Sequence, residues 1–186
     1  TNLFTVEGTV TTYTNLSSTA ADELFFMQEN TNGIAVLFRG GTNQFMPQSG
    51  DLVRVTASLT NINGLLALAP NYSNLTNYVW RLSSSNALPA LADVDFAART
   101  NVPVMEAMEA RYIRATNVWV SQDGGAFFPT TLSTVTLTNA AGRTFDLTIH
   151  PNLTDAGQIK PTGPVTIVGV LSQNDSTSPY TTNYSL

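Results

Sequence analysis

GDLVRVTASLTNINGLLAL, residues 50–68, reads as two strands joined by a tight turn, and the rest of the chain is organised around it. Val53, Val55, Ala57 and Leu59 fall on one face at the two-residue period of a strand, with Arg54, Thr56 and Ser58 on the other. Asn63-Gly64 supplies residue types that accept the positive φ of a hairpin turn, after which Leu65, Leu66 and Leu68 return. Roughly 110 residues later, Gly163-Pro164 introduces Val165, Ile167, Gly169 and Leu171 in the same pattern, with residues 180–186 as the returning strand. This repeat predicts two copies of one β unit.

Upstream, residues 3–13 alternate as a strand, with Gly8 marking a bend that lets one long strand pass between two neighbours. Residues 24–28 and 34–38 form a predicted hairpin, with Gly33 at its positive-φ position. Phe25 and Phe26 are adjacent in its first strand and must point oppositely, so one of them is either exposed or covered by something outside its own barrel. The Gly-Gly start and Pro47 make residues 40–49 a loop or a single helical turn. A bent strand, a hairpin, a connector and a second hairpin make five strands, the count and spacing of an OB-type Greek-key barrel; a five-strand sandwich is the alternative.

Downstream, residues 70–82 extend the last strand. Residues 83–110 form an apolar connector whose Leu88, Leu91, Val94 and Phe96 need cover, so it is expected to pack between the copies. A short helix is expected over residues 101–110, with Pro103 in its first turn and Val104, Met105 and Met108 on one face. The second copy has strands at 112–120, 133–138, 143–149, 165–171 and 180–186. The organisation is therefore all-β: a first OB-like barrel over 1–82, a packed connector with a short helix over 83–110, and a second barrel over 111–186.

Several stretches carry a family resemblance: Pro103-Val104-Met105-Glu106, Tyr112-Ile113-Arg114-Ala115-Thr116-Asn117-Val118, Gly163-Pro164-Val165, Gly169-Val170-Leu171-Ser172-Gln173 and Ser178-Pro179-Tyr180. Together they resemble the tandem OB-like domains of large secreted bacterial proteins. Such domains accompany extracellular nuclease or phosphatase-type catalytic domains and surface-attachment domains. The resemblance covers most of the chain and implies fold and an extracellular setting. It carries over no catalytic residue.

Composition narrows the function classes. Charged residues are 11% of the chain, against about 25% in ordinary soluble domains. Lys160 is the only lysine and the net charge is -5, so the basic footprint of a nucleic-acid binder is missing. Cysteine is absent, which removes disulfides, Cys-ligated zinc and thiol chemistry. No apolar run is long enough to span a membrane. The chain opens on Thr1 rather than Met, as a processed export product or a trimmed chain would.

Catalytic chemistry finds little material. His150 is the sole histidine, at a strand end before Pro151, where loop packing is the expected role. The carboxylate pairs Asp22-Glu23, Asp93/Asp95 and Glu106/Glu109 do not read as a dyad opposed across a cleft. Asp123-Gly124-Gly125 and Asn174-Asp175-Ser176 are oxygen-rich, but ordinary turn chemistry accounts for them better than calcium does. No catalytic residue, metal site or cofactor is expected. Aromatics can instead form a stacking platform: Tyr13, Tyr72 and Trp80, with Arg39, are the candidate ligand-binding residues, and a glycan suits the acidic surface better than a nucleic acid. The terminal strands carry almost no charge to blunt their edges, so Phe4, Val6, Tyr180, Thr182 and Tyr184 are the candidates for self-association. The leading expectation is a non-catalytic structural protein of the cell exterior, a subunit of a surface assembly or filament with other copies of itself as partner. The alternative is a carbohydrate-binding, or with less support nucleic-acid-binding, accessory module of a secreted enzyme.

Overall fold

The computed structural model describes residues 2–12, 15–17, 22–39, 46–70 and 78–186. Its elements in chain order are β1 (Phe4–Val10), β2 (Asp22–Glu29), β3 (Asn32–Arg39), β4 (Leu52–Ile62), β5 (Leu65–Ala69), β6 (Tyr78–Ser83), β7 (Ala92–Asp93), a 3-10 turn (Phe96–Ala98) and α1 (Val102–Met108). Then come β8 (Tyr112–Val120), β9 (Ser133–Asn139), β10 (Thr144–Ile149), β11 (Val165–Val170), β12 (Ser172–Gln173) and β13 (Tyr184–Ser185). The chain is thus predominantly β, in two sheets.

In the first sheet β1 pairs with β2 and β4, β2 with β3, β3 with β5, and β5 with β4, so the ladders return to their start. The bend at Gly8 makes this possible. Beyond it, Thr9 and Val10 turn onto β2, and a Cβ at Gly8 would press on the Gln28 backbone. The organising stretch folds as read: β4 and β5 pair antiparallel across Asn63 (φ 52) and Gly64 (φ 98). Of the extension expected over 70–82, residues 71–77 lie outside the described residues and residues 78–82 lie in β6. β5 leaves β4 at Ser58↔Ala69, and β6 resumes the antiparallel ladder at Thr56↔Tyr78.

The second sheet repeats these pairings. β8 pairs with β11 and β9, β9 with β10, β10 with β13 in parallel, and β13 with β12. Only Leu171 separates β11 from β12, so the circuit closes through the chain itself. Both sheets have a corresponding parallel pairing, β3 with β5 and β10 with β13; in the second sheet β7 also lies parallel to β8.

Two expectations need correcting. Gly33 is not the positive-φ residue of the first hairpin; Asn30 takes that conformation (φ 52), and Gly33 is needed because a Cβ there would overlap the Ala110 carbonyl. The C-terminal strand is shorter than 180–186, because Asp175 holds the preceding residues in a loop. Its carboxylate accepts from Thr177 N–H, Thr181 N–H, Thr182 N–H and the Thr182 hydroxyl. The connector touches both sheets: Phe96 and Met105 enter the second sheet's core beside Phe145 and Ile113, and β7 pairs with β8, while Asn86 donates to the Gly50 carbonyl before β4, and Glu109 and Ala110, just past α1, reach β5 and the cluster between the sheets.

Each sheet has its own core. Phe25, Met27, Val36, Phe38, Val53, Val55 and Leu68 fill the first, and Ile113, Leu137, Phe145, Leu147 and Leu171 are central to the second. Between them lies a third buried cluster, in which Phe26, Ala35, Leu65 and Ala67 of the first sheet meet Ala110 and Val170. This covers Phe26 from outside its own sheet.

Candidate functional site

The seam between the sheets is the most elaborated polar region of the molecule. Gln28, buried on the same face of β2 as Phe26, accepts from Tyr112 N–H (2.6 Å) through Oε1 and donates to the Asn30 carbonyl (2.6 Å) through Nε2. Both polar atoms of its amide therefore have a partner. The Asn63-Gly64 turn lies on the loop after β12: Asp175 N–H donates to the Asn63 carbonyl (2.7 Å) and Asn63 Nδ2 to Asn174 Oδ1 (2.9 Å). On the other side His150 bridges the sheets. Its Nδ1 accepts from Asn152 N–H, which fixes the tautomer so that Nε2–H donates to the Ser17 carbonyl (3.0 Å). Asn152 Nδ2 adds a bond to the Asn15 carbonyl (2.9 Å). The sole histidine thus packs loops together, with both ring nitrogens engaged.

Glu109 and Glu106 close the seam at the helix end. Leu66 N–H donates to Glu109 Oε2 (3.4 Å), whereas Glu109 Oε1 is buried without a partner. Burial pushes the Glu109 carboxyl up to about 7; the Leu66 N–H pulls it partly back and the Glu106 charge adds to the rise. The Tyr184 hydroxyl donates to Glu106, and burial followed by that contact raises the phenol above its ordinary range. The Asp175 carboxyl is held below its usual range, chiefly by Thr177 N–H and the Thr182 hydroxyl, so its oxygens serve the loop as turn chemistry predicts.

The candidate ligand-binding residues do not converge on a described platform. Tyr13 and Tyr72 lie outside the described residues, Arg39 is described only through its backbone pairing with Asp22, and Trp80, 54% exposed, stands on β6 opposite Arg54. A shallow groove borders β1, with Glu7, Thr9, Gln28 and Pro89 on its walls. Glu7 is paired with Arg54 (2.6 Å) and Gln28 is committed to the seam, so those two polar groups already have partners. Among the described residues no three His, Cys, Asp or Glu side chains are grouped to hold a metal ion, and no helix is long and apolar enough to cross a membrane.

The self-association candidates divide. Phe4 is 44% exposed and Val6 half-buried, both on β1, whereas Tyr184 is buried in the second core and Thr182 is tied to Asp175. Tyr180 is half-buried in the Asp175 loop, where its carbonyl accepts from Gln173 Nε2 (2.8 Å). The C-terminal candidates are therefore mostly engaged within their own unit. β11, expected as a strand, was not among the self-association candidates, although its outward-facing Val168 is 44% exposed. The signal was available in its charge-free VTIVGV sequence. Compared with protein-family models, curated proteins and solved structures, the chain finds no match in any of the three.

Proposed function

We propose that each half is an OB-like barrel and that the protein is a non-catalytic structural subunit of an extracellular surface assembly. Support for the barrels comes from the pairing circuit, in which the first strand joins the second and fourth and the third joins the last in parallel, in both halves. The observation that carries the functional reading is the seam. An OB barrel offers ligands the outer face of its second and third strands and the loop between its fourth and fifth. Here that face of the first unit, with Phe26 and Ala35, and the Asn63-Gly64 turn are spent on holding the second unit. A rigid two-unit block suits a building element better than a binding module. Electron microscopy and sedimentation of the purified protein over a concentration series test this: fibres or large ordered oligomers are expected, and a monomer at every concentration would overturn it. The exposed Trp80 favours one alternative, a glycan-binding accessory module. On that reading an oligosaccharide quenches the tryptophan fluorescence of the monomer and Trp80→Ala abolishes the response.

A further inference from the structure

Two strand edges at corresponding places in the two units carry the next step. In the first unit, β4 is paired on both sides of residues 52–56, by β1 and by β6. The corresponding strand of the second unit, β11, pairs with β8 alone among the described residues. Conversely, β8 has β7 beside Ile113 and Arg114 in addition to β11. Among the described residues, residues 4–8 of β1 have only β4, because β2 begins to pair at Thr9. Added strands, β6 and β7, therefore cover one edge in each unit and, among the described residues, leave the counterpart edge of the other unit without a strand partner.

Such edges expose rows of N–H and C=O groups that template a further strand unless charge or proline blunts them. Neither device is present. β11 reads VTIVGV without a charge, and the only charged residue of β1, Glu7, is neutralised by Arg54 at 2.6 Å. Apolar side chains flank both edges: Val168 is 44% exposed beside the first, and Leu3 (47%) and Phe4 (44%) beside the second. The six residues of β11 cover the whole of the free stretch of β1 over residues 4–8.

We infer that the free edge of β11 in one copy pairs antiparallel with residues 4–8 of β1 in the next. The orientation follows β6 on β4, the longer of the two internal precedents. The occupant is a second copy because this chain carries both halves of the contact, one in each unit. Since they lie in different units, the contact is head-to-tail and extends into a fibre. The inference rests on the structural-subunit reading and specifies its interface.

The absence of cysteine makes the test direct. Phe4→Cys and Val168→Cys proteins are prepared separately, mixed and treated with a short bismaleimide. Cross-linked mixed pairs are expected to exceed those of either variant alone by at least about tenfold. Val168→Lys, and independently Thr166→Lys, change outward-facing residues and are expected to leave the melting curve intact while abolishing fibres. Fibres that persist in both lysine variants would overturn the interface and leave the structural-subunit reading standing. Val168→Cys dimers without mixed pairs would replace it with a closed two-fold contact. A native protein that never assembles would remove both readings.

Discussion

Glu109 ends the connector helix against β5 with one carboxylate oxygen on Leu66 N–H and the other buried without a partner. Burial raises it from 4.5 in the unfolded chain to about 7, so folding takes up a proton between those values. The stabilisation linked to that proton is complete below pH 4.5, is lost as pH rises through about 7, and changes no further above it. Because the side chain is only partly buried, solvent screening reduces the effect to about 1–2 kcal/mol. Glu109→Gln should therefore raise stability by that amount at pH 8 and leave it unchanged near pH 4, as measured by denaturant unfolding at the two pH values. An equal effect at both would exclude titration as the cause. Individual residues also mark how far the sequence could be read. Adjacent Phe25 and Phe26 announced that one must be exposed or covered from outside its own barrel, since alternation is local, and the cluster between the sheets shows which. Gly33 was misread as a turn residue because its constraint, the Ala110 carbonyl, lies far along the chain. Close approach of distant backbones leaves no mark in periodicity.

At the scale of elements, strands with strict alternation were legible and two-residue strands were not. β4, β5 and β8 carry enough periods to declare themselves, whereas β7 is a two-residue strand defined by its neighbour β8 rather than by its own pattern. The C-terminal strand was overread because its uncharged, Tyr-rich sequence suits a strand while the Asp175 carboxylate imposes a loop on much of it. The connector was correctly judged to need cover, but composition alone left open which surface supplies it. Phe96 packs on Phe145 with ring centroids 5.3 Å apart, inside the second core. Phe96→Ser should consequently destabilise the second unit by about 3–5 kcal/mol, the range for removing a buried aromatic ring. Hydrogen exchange locates the effect: protection should fall most in β8, β9 and β10, and in β2 and β3 only through the shared seam. A larger loss in β2 and β3 than in β8, β9 and β10 would place the connector's main contact elsewhere.

The whole molecule is two similar sheets that share a buried apolar cluster flanked by hydrogen bonds, and this seam decides whether they unfold together. Phe26, Ala35, Leu65 and Ala67 lose their cover if the second unit leaves, exposing a contiguous apolar face, and the buried Gln28 amide and Tyr112 N–H lose each other. An unpaired buried polar group costs about 1–3 kcal/mol, on top of about 25 cal/mol for each Å² of apolar surface exposed. These terms couple the units, so a single calorimetric transition is expected for the native chain. Gly33→Ala tests the coupling with one methyl group. Gly33 is absent from the positive-φ residues, so alanine suits the strand itself, but the new Cβ meets the Ala110 carbonyl, which is backbone of the other unit and cannot rotate away. Relief requires the sheets to part at the hairpin. The variant should lose about 2–4 kcal/mol, the cost of severe overpacking, and its single transition should split in two while far-ultraviolet circular dichroism stays native. Unchanged melting in Gly33→Ala would mean that the units are already separated there in solution. A lower but still single transition would locate the coupling in the Asn63 and His150 contacts on either side.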